Sequence, residues 1–316
     1  MSENPLVSII IPCHNAVEYI AAAIESALAQ DYSPVEVIVV DDGSSDGSRQ
    51  VAQSFEDRVK ILSQPNLGPS VARNAGIQAS TGTYIILLDA DDVLLTSCVR
   101  SRVEALMEDP RVGLVAGYYR EIDANGQLLP RVPQIRRLRR TSVFRQTVRR
   151  NWGPPVGWGI RRATLDACGR FDPSLRHCED WDLAVRLSAV ARVGYVPTIQ
   201  ALFRRTPGTA SSNHLAMLQG MDQQQRKNRV LARSRLLYWL DCRFGIFELG
   251  RRILYASLTT GPRGQALVDT CRLVVLRPEL LWVGAVAVLT FLAGRRESSP
   301  TASASNHAYE GPVAEG

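Results

Sequence analysis

The chain has 316 residues, 45% of them apolar, enough for one large α/β domain of about 230 residues plus a tail, or for two domains. Its six cysteines (Cys13, Cys98, Cys168, Cys178, Cys242 and Cys271) form no C-x-x-C pair, which speaks against a zinc site or a disulfide framework. The net charge of +6 hides an asymmetry: residues 1–130 hold 8 Lys and Arg against 18 Asp and Glu, residues 131–316 hold 29 against 13, and an anionic partner is expected for the second half.

In chain order, a polar start (Met1 to Pro5) leads into a strand at Val7 to Ile11 with no basic flank or cleavage site, so the catalytic part is expected in the cytosol. Pro12, Cys13, His14 and Asn15 follow, then Ile20, Ile24, Ala27 and Leu28 at the spacing of one helix face. Further strands are predicted at Val35 to Val40, Val59 to Leu62, Tyr84 to Leu88 and Val112 to Gly117. Strands alternating with helices predict a mostly parallel sheet covered by crossover helices, with ligands beyond the carboxyl ends of the strands. Those ends are polar: Asp41-Asp42-Gly43-Ser44-Ser45-Asp46, then Asn66-Leu67-Gly68, then Asp89-Ala90-Asp91-Asp92. Four strand ends are expected to converge on one crevice.

Asn125-Gly126 is a hairpin signal, and the parallel pattern is expected to stop near residue 118. Eight arginines lie among apolar residues between Arg131 and Arg150. They read either as a solvated face or as a surface for anionic headgroups. A helical start at Arg161 and an amphipathic helix from about Glu179 to Ala191 follow, and beyond residue 214 the pattern is helical and arginine-rich. Leu280 to Gly294 is the longest uncharged apolar run, roughly 22 Å as a helix against a ~30 Å hydrocarbon core, and reads as an interfacial or packing helix. The division expected is a catalytic domain over 1–212, a helical extension over 213–296 and a disordered tail over 297–316.

The acid run carries the most chemistry. Two carboxylates 4 Å apart repel by about 4 kcal/mol at an effective dielectric near 20, so three at a strand tip need compensation. Mg²⁺ or Mn²⁺ supplies it, completing its octahedron with water and substrate phosphates. The alternative is one capping Asp with the others in solvent. In the Asp41-Asp42-Gly43-Ser44 turn a carboxylate can accept from a base edge or ribose hydroxyls, while Ser44 caps the next helix; a plain capped turn is the other reading. Arg73, on the first turns of a helix after Asn66-Leu67-Gly68-Pro69, suits phosphate. No P-loop and no G-x-G-x-x-G is present. Glu179-Asp180-Trp181-Asp182 opens a helix, where a carboxylate stays ionised and can take a proton from a sugar hydroxyl. Trp181 packs as core or stacks on an acceptor sugar.

The ordered segments Val7 to Asn15, Val37 to Asp46, Asn66 to Gly76, Gly82 to Asp92, Arg161 to Phe171 and Glu179 to Leu187 resemble the inverting glycosyltransferases of family 2, over about residues 6–212. The resemblance implies an α/β fold of the GT-A type: a Rossmann-like, mostly parallel central sheet with flanking helices. It implies that Pro12 and Asp42 lie at the nucleotide base, that Arg73 lies near base and phosphates, and that Asn15, Asp89, Glu179 and Arg204 also belong to the nucleotide-sugar-binding set. Asp89 and Asp91 form a D-x-D motif, with Asp91 holding Mg²⁺ or Mn²⁺. Asp180, beside Glu179, is the general base. Family members commonly carry a His where Thr206 stands here, so Arg204 or Arg205 is expected to help hold the diphosphate. The implied donor is a nucleotide-diphosphate sugar and the implied acceptor a saccharide or a lipid-pyrophosphate-linked sugar. The expected setting is cytoplasmic, peripheral at the inner face of the cell membrane. A catalytically silent nucleotide-sugar-binding protein of the same fold is the alternative. Nucleic acid is not expected, because acidic strand tips repel a polyanion.

Overall fold

The computed structural model describes residues 4–130, 143–149, 151, 153–206 and 214–231. The Leu280 to Gly294 run, the tail, and the arginines from Arg131 to Arg140 lie outside the described residues. Among the described residues, no helix is long and apolar enough to cross a membrane.

The order of elements is β1 (Val7–Cys13), α1 (Ile20–Leu28), β2 (Val35–Asp42), α2 (Ser48–Gln53), β3 (Lys60–Gln64), α3 (Pro69–Ala79), β4 (Tyr84–Leu87), β5 (Val93–Leu94), α4 (Cys98–Glu108) and β6 (Val112–Ile122). Then come α5 (Val143–Arg149), β7 (Gly159–Arg161), α6 (Arg162–Cys168), α7 (Glu179–Val190), β8 (Arg192–Arg204) and α8 (His214–Asn228). They build one eight-stranded sheet in the order β3-β2-β1-β4-β7-β6-β8-β5. β3, β2, β1 and β4 are mutually parallel, as the alternation of strands and helices predicts.

Successive side chains of a strand face opposite sides, and β1 uses both. Val7, Ile9 and Ile11 pack with Ile20, Ile24, Val99 and Val103 of α1 and α4. Ile10 packs on the other face with Ala72 and Ile77 of α3 and Leu183 and Leu187 of α7. This double burial explains why the central strands read as continuous apolar runs. It also aligns the strand ends: Cys13 pairs with Asp41, Asp42 with Gln64, and Ile10 with Leu87, two residues before Asp89.

The expectation that the parallel pattern stops near residue 118 is corrected here. The hairpin itself is present, with Asp123 N–H donating to the Gln127 carbonyl at 2.9 Å and Gly126 at φ +82°. Yet β6 continues to Ile122 and takes β8 as a parallel neighbour across bulges at Tyr118. β8 is 13 residues long and contains Pro197, which masks its strand character in sequence. The short β7 lies antiparallel between β4 and β6. α8 packs on α7 through Lys227 and Asn228, which both reach Asp182.

Candidate active site

The tips of β1, β2 and β3 are tied together by polar side chains. Asp42 is 3% exposed, and both its oxygens are engaged: Oδ1 accepts from Gln64 Nε2 at 2.7 Å and Leu67 N–H at 2.9 Å, Oδ2 from Gly68 N–H at 2.8 Å. Asp42 thus builds the loop after β3. His14 Nδ1 lies 2.9 Å from the Asp42 carbonyl, so this nitrogen carries the proton and Nε2 accepts from Asn66 Nδ2 at 3.2 Å. Asn15, in the left-handed region at φ +50°, accepts from Ser45 N–H at 2.9 Å and donates its own N–H to Ser44 Oγ at 3.1 Å. Pro12 is half-buried beside Val40. Ser44 does not cap α2. The N-cap of α2 is Gly47, at φ +98°, and the preceding Asp46 accepts from Ser48 N–H at 2.9 Å; burial pushes the Asp46 carboxyl up, and its hydrogen bonds from Ser48 and Val17 outweigh this and hold it low.

The acid run lies between β4 and β5, where its three carboxylates have three environments. Asp89 Oδ1 accepts from Arg73 Nη2 at 2.7 Å. Asp91 is pushed up to about 6 by burial and by the charge of Asp89. Asp92 is 1% exposed; its Oδ1 accepts the backbone N–H of Arg204 at 2.8 Å, while Oδ2 is buried without a partner. Burial, then the neighbouring Asp91 and Asp89, raise its carboxyl well above the usual range. None of the three caps α4, whose N-cap is Ser97.

Arg73 joins this loop to α7. It is 5% exposed, gives Nη1 to Glu179 Oε1 at 3.0 Å, and stacks over the Phe171 ring at 5.2 Å. Asp89 and Glu179 are ninety residues apart in the chain and share one guanidinium. The planar fork of Arg suits this, since its rigid donors fix the direction of both bonds at once. Buried charges are tolerated when paired in this way.

α7 begins with three acids in its first turn, where the helix dipole favours negative charge. Asp180 accepts from Trp181 N–H at 2.7 Å through Oδ1 and from Asn151 Nδ2 at 3.1 Å through Oδ2. Burial and the adjacent Glu179 push its carboxyl up to about 6 against the lowering effect of those bonds and Arg73. A carboxylate of this strength can take up a proton near neutral pH. Trp181 is core: 5% exposed, with its indole N–H donated to the Thr147 carbonyl in α5. Sequence reading missed Asn151, because an Asn between arginines and a Trp-Gly-Pro-Pro run carries no periodic or motif signal.

Arg204 is committed to backbone. Its Nε donates to the Asp91 carbonyl at 2.8 Å, Nη1 to the carbonyls of Asp123 and Ala124 at 3.0 Å each, and it lies 4.5 Å from the Tyr19 ring centroid. Arg205 pairs with Glu121. Arg204 thereby fixes the acid loop from behind.

A divalent cation fits the chemistry of this loop. Asp89 and Asp91 are hard oxygen donors, separated by one residue in the loop that follows β4. Among the described residues no group of three or more His, Cys, Asp or Glu is arranged to hold a metal.

The glycosyl transferase family 2 profile matches residues 8–169 of this chain. The chain is 31% identical over 235 residues to an uncharacterised glycosyltransferase of Nostoc sp., covering 71% of each. It is 31% identical over 206 residues to chondroitin synthase of Escherichia coli, covering 62% of this chain and 28% of that one. It spans 42% of the length of glycosyltransferase GlyG of Streptococcus pneumoniae. Among solved structures, S. aureus TarS 1–349 in complex with UDP-GlcNAc has a TM-score of 0.64 at 19% identity over 82% of this chain and 77% of that one. The mannosyltransferase PcManGT from Pyrobaculum calidifontis, in complex with GDP-Man and Mn²⁺, has a TM-score of 0.60 at 18% identity over 94% and 89%. With the sheet, the acid loop and the Glu-Asp helix in place, the profile match identifies the chain as a glycosyltransferase of family 2 with the family's GT-A fold.

Proposed function

We propose that this enzyme moves a sugar, with inversion, from a nucleotide-diphosphate sugar to a hydroxyl of a saccharide or lipid-linked acceptor, in cell-surface polysaccharide or glycolipid synthesis. The observation that carries this reading is the Arg73 bridge: one buried guanidinium joins Asp89 to Glu179, so the acid loop and the helix start that carries Asp180 meet at one side chain. The relatives lend support. The TarS structure holds UDP-GlcNAc, the PcManGT structure holds GDP-Man and Mn²⁺, and chondroitin synthase is named for a polysaccharide.

In this reading the loops held by Asp42, His14 and Asn15 receive the nucleotide. Asp91 and Asp89 would hold Mg²⁺ or Mn²⁺, which when bound would supply positive charge against the diphosphate. Arg73 keeps Asp89 and Glu179 in place, and Arg204 keeps the backbone of Asp91 in place. Asp180 takes the proton of the acceptor hydroxyl, whose oxygen attacks the anomeric carbon. The bond to the diphosphate breaks on the opposite face. No covalent enzyme intermediate is required.

Asp180→Asn tests it. Transfer is expected to fall by about 10²- to 10⁴-fold, the range for loss of a general base, while thermal shift still reports binding of UDP-GlcNAc or GDP-mannose with Mn²⁺. Unimpaired turnover in that variant removes Asp180 from the chemistry. Binding indifferent to EDTA removes the cation.

A further inference from the structure

We infer that α8 is the brace that positions the general base, and that Lys227 and Gly220 are its working residues; this rests on the reading of Asp180 as that base. The entry to α7 is strained. Cys178, just before Glu179, holds the left-handed conformation at φ +61° without being glycine, a conformation that L side chains disfavour. Such a residue persists only where its surroundings over-determine it.

α8 supplies those surroundings. The Cys178 thiol donates to the Met217 carbonyl at 3.4 Å. Gly220 lies so close to the preceding residue that a Cβ there would stand 2.6 Å from the His177 carbonyl oxygen. Gln223 donates to the Ser174 carbonyl at 3.4 Å. Lys227 then spans both sides of the segment, 2.7 Å from Asp172 and 3.0 Å from Asp182. Asn228 donates to the other oxygen of Asp182 at 2.8 Å, and Arg186 pairs with Asp182 at 2.7 Å. Asp182 is fully buried and sits one residue after Trp181, whose N–H fixes Asp180. Residues 172–182 are thus clasped from end to end by one helix. That helix lies beyond the family profile match, which ends at residue 169. Lys227 touches no reacting atom; it acts through Asp182 and the backbone of α7.

The test uses the full chain with Lys227→Met, Lys227→Arg and Gly220→Ala. Hydrogen exchange is expected to quicken in peptides covering 171–182 of Lys227→Met and to stay unchanged in β1 to α3. Turnover of UDP-GlcNAc or GDP-mannose is expected to drop by roughly 10- to 100-fold, the cost of misplacing a catalytic group by about an ångström, with the donor KM unchanged. Lys227→Arg is expected to restore both. Should Lys227→Met not fold, Gly220→Ala carries the same expectation through His177. Unchanged exchange at 171–182, or quickening spread evenly over the whole domain, overturns the brace, as does full turnover in a variant whose 171–182 segment is loosened. If Asp180→Asn keeps full turnover, the base assignment has failed by itself; exchange at 171–182 then decides the brace, faster supporting it and unchanged overturning it.

Discussion

Arg73 holds two acids at 2.7 and 3.0 Å with its side chain 6% exposed, and its removal leaves Asp89 and Glu179 facing one another without compensation. Breaking a buried pair by deleting one partner costs about 3–5 kcal/mol. Arg73→Met is therefore expected to lower the midpoint in urea and the unfolding free energy by that order, and Arg73→Lys to recover only part of it, because an ammonium lacks the rigid planar fork that fixes both bonds. An unchanged midpoint would show that the bridge is not formed in solution. Asp180 sets a second expectation. As the proposed general base it would act only when ionised, and its carboxyl is pushed up to about 6, so turnover should climb with pH through about 6 and level off above. The Asn151 bond lowers that value, so Asn151→Ala should move the rising limb to higher pH. A limb near pH 4 in the parent enzyme would contradict the burial of Asp180.

Among the elements, α3 sits unusually close to the sheet. A Cβ on Gly76 would stand 2.4 Å from Ile10 Cγ2 and 3.2 Å from Val40 Cγ2. Alanine would gain about 1 kcal/mol of helix propensity over glycine, whereas overpacking a core costs about 1–3 kcal/mol. The clash should win: Gly76→Ala is expected to lower the denaturant midpoint, and since Arg73 lies one turn earlier, to weaken the Asp89–Glu179 bridge. The contact of α8 has its own signature in acid. Burial raises the Asp172 carboxyl, but its bonds to Lys227 and the Ser174 N–H outweigh this and bring it to about 2. A depressed carboxyl stabilises fully above its unfolded value near 3.9, and that contribution is lost as pH falls toward 2. Melting temperature should drop less between pH 4 and 2 in Asp172→Asn than in the parent.

For the whole molecule, charge divides the chain into an acidic half that carries the strand-end loops of β1 to β4 and a basic half that follows it. We propose that the basic half meets an anionic membrane surface, where a lipid-linked acceptor would be presented, each basic residue near the surface adding about 1 kcal/mol. Sedimentation with phosphatidylserine vesicles is expected, and neutralising the arginines between Arg136 and Arg150 should abolish it; unchanged sedimentation would count against the idea.

The central sheet was legible because its cause is local. Strands buried on both faces must be apolar throughout, and the polar runs after them can only be strand ends. For the same reason the acid run, Asp42, Arg73 and the Glu-Asp pair stood out as residues. Their partners did not. Arg73 meets acids 16 and 106 positions away, and Asp180 meets an Asn 29 positions away, contacts that leave no period in the sequence. Only the folded chain decided that Asp92 is the buried acid, that Trp181 belongs to the core, that Arg204 serves backbone carbonyls, and that β8 lies parallel to β6. Each is a choice between burial and exposure, settled by which surfaces the sheet and its helices bring together.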